Sequence, residues 1–236
     1  MKSFFLTLFA AALTFSVSAQ TADEIVAKHI EAIGGKDVLT KTTSLYIEST
    51  MSVMGNDAPV RTCILNGKGF KNEIDMMGST IIQCVTDKGS WGVNPMAGGG
   101  VVDVPEKEAK SQMGNIAIGG VFVGYAEKGI AIELDGKKKV GEIEAFKLKV
   151  TPKGGTSNTY YIDPTTYYIL KMEAKGEMMG QEVDVVTTYA DYKKLENGYV
   201  LAHTMDIDMG QFAMTTKVEK VEINKAMDET TFSKPK

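Results

Sequence analysis

The sequence is poor in the residues that carry most catalysis and metal binding. Its 236 residues include two cysteines, two histidines and one tryptophan. The histidines, His29 and His203, lie on distant predicted elements, and no cysteine–histidine cluster has the spacing of a zinc site. No nucleophile-elbow, phosphate-loop or dinucleotide-binding pattern occurs either. We therefore predict a protein that is not an enzyme and that has no cofactor and no metal site.

Charge of one sign is not in large excess, because 26 basic and 30 acidic residues give a formal net charge of −4. A mildly acidic chain of this kind predicts no nucleic-acid partner. Most charged residues alternate with apolar ones, which is typical of the solvated face of β-strands.

Long hydrophobic runs are absent after the first twenty residues. There, Lys2 precedes "FFLTLFAAALTFSV", which is too short to span a bilayer, and the small residues "SVSA" follow. This order is that of a secretory signal peptide cleaved after Ala19, and it predicts a periplasmic protein. No cysteine follows the run, so a lipid anchor is not supported. We predict a signal peptide over 1–19 and a single domain over 20–236.

The remaining sequence predicts a mainly β fold of the α+β type. Thr21 and Glu24 form a capping box for one helix, which Gly34-Gly35 should end. From Leu45 onward the apolar period changes to two, and about eleven strands follow as an antiparallel meander. Residues 96–129 break this rhythm, and we predict two short helical segments there that form a lid over the sheet.

The two cysteines are predicted to remain unbridged. Cys63 and Cys84 lie on the second and fourth strands of the meander. Two strand spacings separate them by roughly 9–10 Å, whereas a disulfide needs Cα atoms nearer than about 7 Å.

One face of the predicted sheet is unusually apolar. Few helices are available to cover this face. The sheet must therefore either curl into a barrel that its own side chains fill, or leave apolar surface for a ligand. Methionine, which is flexible and common at promiscuous apolar surfaces, occurs fourteen times. The predicted lining, from wall and lid, consists of Ile47, Met51, Val53, Ile74, Met76, Trp91, Met113, Phe122, Tyr125, Leu170, Met172, Met178, Leu201, Met205, Ile207, Met209, Phe212 and Met214.

Methionine also recurs beside glycine in predicted turns, where polar residues are usual. The pairs begin at Met54, Met77, Met113, Met179 and Met209. Hairpin parity places turns 54–55 and 77–78 at one end of the sheet, and turns 179–180 and 209–210 likewise share an end. If both ends coincide, these turns form an apolar mouth. The alternative is that methionine fills gaps in an ordinary core.

The C-terminal half resembles the outer-membrane lipoprotein-sorting proteins, or LolA-like superfamily. The likeness lies in "TYYIDP", "YADYKK", "NGYVLAHT" and the closing "VEINKAMDETTFSKP". "ADEIVAKHIEAIGG" and "WGVNPMAGG" resemble the Bacteroidetes-type secreted members. The resemblance implies an unclosed β-barrel of about eleven strands with a helical lid and an apolar cavity for acyl chains. It also implies an arginine on an early strand that controls the lid, but Arg61 alternates away from the apolar face.

Two functions follow as hypotheses. The first is a periplasmic carrier or binder of lipid or of acylated lipoprotein, with transient contact to a membrane surface. The second is an envelope sensor or interaction module whose apolar face meets a protein partner. A copper(I) site built from Met51 and Met54, or from His203 and Met205, is disfavoured, because the first pair lies on opposite strand faces.

Overall fold

A computed structural model describes residues 20–95, 98–178 and 181–235 of the chain, and the side chains of Glu177 and Met178 lie outside that description. The predicted signal peptide also lies outside it and stays a prediction. Within the described residues, no helix is both long enough and apolar enough to cross a membrane.

The predicted N-terminal helix is confirmed as α1, Ala22–Ala32. Its capping box is formed, because the Thr21 hydroxyl accepts from the Glu24 amide at 3.2 Å and the Glu24 carboxylate accepts from the Thr21 amide at 3.0 Å. The buried side of the helix carries Ile25, Val26 and His29. These residues fix the helix against the sheet.

A second helix, α2 (Gly35–Lys41), follows at once and was missed by the sequence analysis. Gly34 and Gly35 turn the chain with positive φ values instead of ending the helical region. A Cβ on Gly34 would lie 2.8 Å from the carbonyl oxygen of Gly198, so only glycine permits this close approach to the turn that contains Gly198. The helix buries Leu39 beneath it.

Over the described residues the sheet has thirteen strands, two more than expected. They are β1 Ser44–Val53, β2 Asn56–Leu65, β3 Gly69–Met76, β4 Ser79–Thr86, β5 Gly89–Val93, β6 Val101–Asp103, β7 Ala131–Val140, β8 Ile143–Thr151, β9 Asn158–Ile162, β10 Ile169–Met178, β11 Gln181–Lys194, β12 Val200–Asp208 and β13 Ala213–Ile223. Nearly all of these strands have apolar residues at alternate positions and are joined by short turns.

All pairs are antiparallel, and the order across the sheet is β6-β5-β4-β3-β2-β1-β13-β12-β11-β10-β9-β8-β7. The chain thus makes two meanders that join where β1 pairs with β13. The edge strands β6 and β7 do not pair with each other, so the sheet is a curved, unclosed barrel, as expected.

The predicted lid region contains the helix α3, Glu106–Gln112, and the 3-10 turns Met113–Ile116 and Gly120–Phe122. It also contains the short strand β6, which was not expected. The Asn66 side chain anchors this region, because its amide oxygen accepts from the Ile118 backbone at 3.1 Å. Ile118 and Phe122 are each 1% exposed, so the middle of the segment belongs to the core.

The face of the sheet opposite the helices α1 and α2 is covered at one place by the C-terminal segment, which includes the 3-10 turn Glu229–Phe232. Phe232 lies in a buried cluster with Cys84 and Trp91. The Trp91 indole donates to the Phe232 carbonyl at 3.1 Å. Cys63 lies on this face too, across β3 from Cys84, and both cysteines are free, which confirms the strand-spacing argument.

Candidate functional site

The face that carries Leu45 and Met51 is the one on which the helices pack, and we call it the concave wall. Strand register places its residues in rows across the sheet. One row contains Val53, Met214, Ile207, Thr187, Met172 and Tyr160. The next contains Ala58, Met51, Thr216, Met205 and Tyr189. Methionine therefore recurs along two neighbouring rows that cross the middle of the sheet.

The helices cover only part of this wall. One buried cluster joins Ile25 of α1 and Phe122 to β8 and β9. A second joins Leu39 of α2 and Ile118 to β1 and β12. A third, formed by Met51, Ala58 and Val60 with Ile74, Met76 and Met214 around them, contains strand residues alone within the described part of the chain. We call this third cluster and the two rows beside it the open wall.

The predicted lining residues divide between these regions. Of the predicted lining residues on the open wall, Met51 is buried and the others are partly exposed: these are Val53, Ile74, Met76, Met172, Met205, Ile207 and Met214. Ile47 and Leu201 belong to the cluster beneath α2. Met209 and Phe212 lie in the turn between β12 and β13, and Met178 ends β10.

Four further predicted lining residues lie away from the open wall. Trp91 is on the opposite face of the sheet, since it pairs with Cys84 and packs under Phe232. The alternation of apolar residues around Trp91 could not show that the C-terminal segment covers that face. Phe122 is core, with an edge-on contact to His29 at 5.2 Å between ring centroids. Tyr125 donates to Asp23 at 2.6 Å. Met113 begins the first 3-10 turn of the lid.

Leu170 occupies an irregular position. It lies between Ile169, which pairs with Ile162, and Lys171, which pairs with Tyr161. The register shifts by one residue at this point, so Leu170 is the extra residue of a bulge. Simple alternation from Met172 therefore does not establish which face it takes.

The two rows of the open wall carry no Asp, Glu, Lys or Arg. Their polar members are threonines and the tyrosines Tyr160 and Tyr189. Burial raises the pKa of Tyr160 to about 12 and also raises that of Tyr189, so both phenols stay neutral at physiological pH. An uncharged wall of this kind suits an apolar ligand, because it requires no charge to be desolvated.

Arg61 and its acidic partners lie on the opposite face of the sheet, which we call the convex face. Arg61 forms ion pairs with Glu73 at 3.3 Å and Asp75 at 2.6 Å. These contacts confirm that Arg61 points away from the apolar wall. The pKa of Arg61 is raised and that of Asp75 is lowered, chiefly by the hydrogen bond between them. The pair holds β2 to β3 on the outside and does not approach the lid.

The Met-Gly hairpin turns occupy one end of the sheet. The hairpins β3–β4, β1–β2 and β12–β13 are consecutive across it, and antiparallel pairing places their turns, at 77–78, 54–55 and 209–210, at the same end. The pair Met179-Gly180 lies outside the described residues. Met54 and Met77 are the most exposed of the large apolar residues described, at 77% and 83%. The common end proposed from parity is therefore present for the three described turns, beside the open wall.

Two surface cavities adjoin the sheet. One of about 500 Å³ lies between the C-terminal segment, β5 and α3, and Trp91 and Phe232 border it. The other, of about 430 Å³, lies at the β12–β13 hairpin, where Ile207 and Met214 meet convex-face residues such as Asp206. Within the described residues, no group of three or more His, Cys, Asp or Glu side chains could hold a metal ion.

Comparison with solved structures identifies the fold. A putative outer membrane lipoprotein-sorting protein domain from Vibrio parahaemolyticus superposes with a TM-score of 0.59 at 18% identity, over 89% of this chain and 95% of that one. A LolA superfamily protein from Nitrosomonas europaea gives 0.59 at 11% identity, over 92% and 99%. The fold is the LolA-like fold.

A DUF1329 family protein from Desulfovibrio piger is similar to the same degree, with a TM-score of 0.59 at 12% identity over 91% of this chain and 98% of that one. No protein-family profile and no curated protein sequence matches the chain. The likeness is thus one of architecture, and the ligand must be argued from the residues of this chain.

Proposed function

We propose that this protein is a non-enzymatic binder of lipid or lipoprotein acyl chains, acting in the periplasm after removal of residues 1–19. The observation that carries the proposal is the third apolar cluster: within the described residues it contains strand residues alone, whereas the first two clusters include helix residues. An apolar wall that a protein leaves partly exposed commonly serves to meet an apolar partner.

The chemistry of the wall favours acyl chains in particular. Met51, Met205 and Met214 supply side chains that adapt to a flexible ligand, and no charged group interrupts the two rows. Each buried methylene of a ligand would contribute about 0.8 kcal/mol. The similarity to a lipoprotein-sorting protein domain is consistent with such a ligand.

Neighbouring residues on β12 offer a matched test. Met205 belongs to the open wall, whereas Thr204 points to the convex face opposite Lys217. We expect a fluorescent fatty-acid probe to bind the wild-type protein. Met205→Glu should weaken that binding about tenfold or more, because a carboxylate would face the acyl chain. Thr204→Glu should leave the binding unchanged.

Equal affinities for all three proteins would contradict the proposal. A protein partner recovered by crosslinking, with no uptake of the probe, would support the interaction module instead. Circular dichroism of each variant would show that the sheet remains folded.

A further inference from the structure

Two tyrosines of β11 differ in what their phenol groups contact. The Tyr192 hydroxyl donates to the Ile169 carbonyl at 2.7 Å, and the Tyr192 ring stacks on that of Tyr168 with 4.4 Å between centroids. Tyr189 lies three residues earlier and pairs with Met205, which places it on the open wall. Among the described residues, the Tyr189 hydroxyl has no hydrogen-bond partner. The wall therefore contains a polar group that the fold itself does not use.

Two buried threonines beside Tyr189 share this property. Thr187 lies two residues away on the same face of β11, and Thr216 lies in the same row as Tyr189, on the other side of Met205. The threonines are 6% and 8% exposed. Neither threonine hydroxyl forms a hydrogen bond with another described residue. The open wall is thus apolar overall but carries a group of unpaired hydroxyls around Tyr189.

A ligand that fills the wall would remove water from the Tyr189 hydroxyl. Burial raises the pKa of Tyr189, and the neighbouring Tyr160 raises it further, so the phenol stays neutral and can donate a hydrogen bond. An acyl chain made of methylenes alone would leave this donor buried without a partner, which is unfavourable. A ligand that places an acceptor oxygen at this position avoids that penalty.

The acceptor oxygen should be uncharged. The two rows of the open wall contain no lysine or arginine that could pair with a carboxylate. Burial of an ionised carboxylate without an opposite charge is costly, so a fatty acid would keep its carboxylate in water and bind through its chain alone. An ester carbonyl, in contrast, needs only one donor, which a phenol supplies.

We propose that Tyr189 donates a hydrogen bond to an ester carbonyl of the bound lipid and thereby selects neutral acyl esters over ionised fatty acids. This inference rests on the acyl-chain binding proposed above and names the class of ligand within it. Because Met205 pairs with Tyr189, the methylenes nearest to that carbonyl would contact methionine.

Removal of a single hydroxyl tests this contact. Tyr189→Phe keeps the ring on the wall and removes only the donor. Tyr192→Phe is the matched control on the same strand, because the Tyr192 hydroxyl is already bonded to the Ile169 carbonyl. Tyr192→Phe should lower the melting temperature, since it removes an existing hydrogen bond, whereas Tyr189→Phe should leave it unchanged or raise it.

The experiment is a fluorescence titration of the chain without residues 1–19, using parinaric acid and its methyl ester at pH 8, where the acid is ionised. We expect the wild type to bind both probes and to bind the ester more tightly. Tyr189→Phe should weaken ester binding about five- to tenfold, as expected for loss of one neutral hydrogen bond, and should change acid binding less than about twofold. Tyr192→Phe should bind both probes like the wild type.

Three results would overturn the inference while leaving acyl-chain binding intact. The first is unchanged ester binding by Tyr189→Phe, and the second is an equal loss of both probes in that variant. The third is tighter binding of the acid than of the ester by the wild type, which would indicate a cation at the headgroup, with His203 of β12 as the candidate. If neither probe binds the wild type, the proposed function fails, and this inference fails with it.

Discussion

The covered and open parts of the concave wall are built from the same alternating strands but differ in what lies over them. Under α1, residues such as Leu148 and Ile162 are completely buried. In the third cluster, Met76 and Met214 pack against strand residues alone among the apolar residues that the structure describes, and they stay partly exposed. Alternation of apolar residues along a strand therefore does not by itself define a core, because a core also needs a second layer of secondary structure packed on the sheet.

The sharpest test of this difference compares two phenylalanines. Phe122 is 1% exposed beneath α1, whereas Phe212 is partly exposed in the turn before β13. Phe122→Ala should lower the free energy of unfolding by about 3–5 kcal/mol. Phe212→Ala should lower it by about 1 kcal/mol or less, since little surface is buried there. Urea unfolding measures both, and equal losses would remove the distinction between the two parts.

A second test asks whether water is excluded from the part of the concave wall that α1 covers. Burial lowers the pKa of His29 to about 4, although its Nδ1–H donates to the Tyr167 carbonyl at 2.8 Å. Between that value and the ordinary pKa of about 6.5, the unfolded chain binds a proton that the folded chain does not. Stability should therefore fall by about 2 kcal/mol from pH 7 to pH 5 through this residue.

His29→Gln is the control for this pH dependence, because its amide can still donate to the carbonyl but does not titrate. Its free energy of unfolding should change with pH by about 2 kcal/mol less than that of the wild type over the same range. An unchanged pH dependence would mean that His29 is accessible to water and that α1 does not seal this part of the wall.

A smaller effect is expected on the convex face, where the C-terminal segment is the cover. A Cβ on Gly69 would lie 2.6 Å from the ring of Phe232. Gly69→Ala should displace that ring and lower the free energy of unfolding by about 1–2 kcal/mol. It should also shift the emission of Trp91 to longer wavelength. Gly100→Ala, which meets nothing within 4 Å, should change neither quantity, and a Gly69 variant with unchanged emission would contradict the assigned contact.

Much of the fold could be predicted because it depends on local patterns. The capping box of Thr21 and Glu24 and the alternation along β12 each specify an element within a few residues. The spacing of Cys63 and Cys84 also followed, because the strands of a meander are consecutive. These features need no knowledge of distant parts of the chain.

Features that depend on distant contacts could not be predicted. Pairing of β1 with β13 brings the turn at 209–210 to the same end as the turns at 54–55 and 77–78, and hairpin parity alone left this open. Trp91 was assigned to the wrong face because Phe232, 141 residues away, covers it. One signal was available: "TIIQCVT" in β4 is apolar on both faces, which indicates a strand covered on both sides.

The most direct test of the account is methyl NMR of the methionines during titration with a long-chain fatty acid. We predict that the methyl signals of Met51, Met205 and Met214, on the open wall, shift on binding. That of Met227, which packs with Phe232 on the convex face, should not. Unchanged signals for all methionines, or a shift confined to Met227, would contradict the claim that the open wall receives the acyl chain.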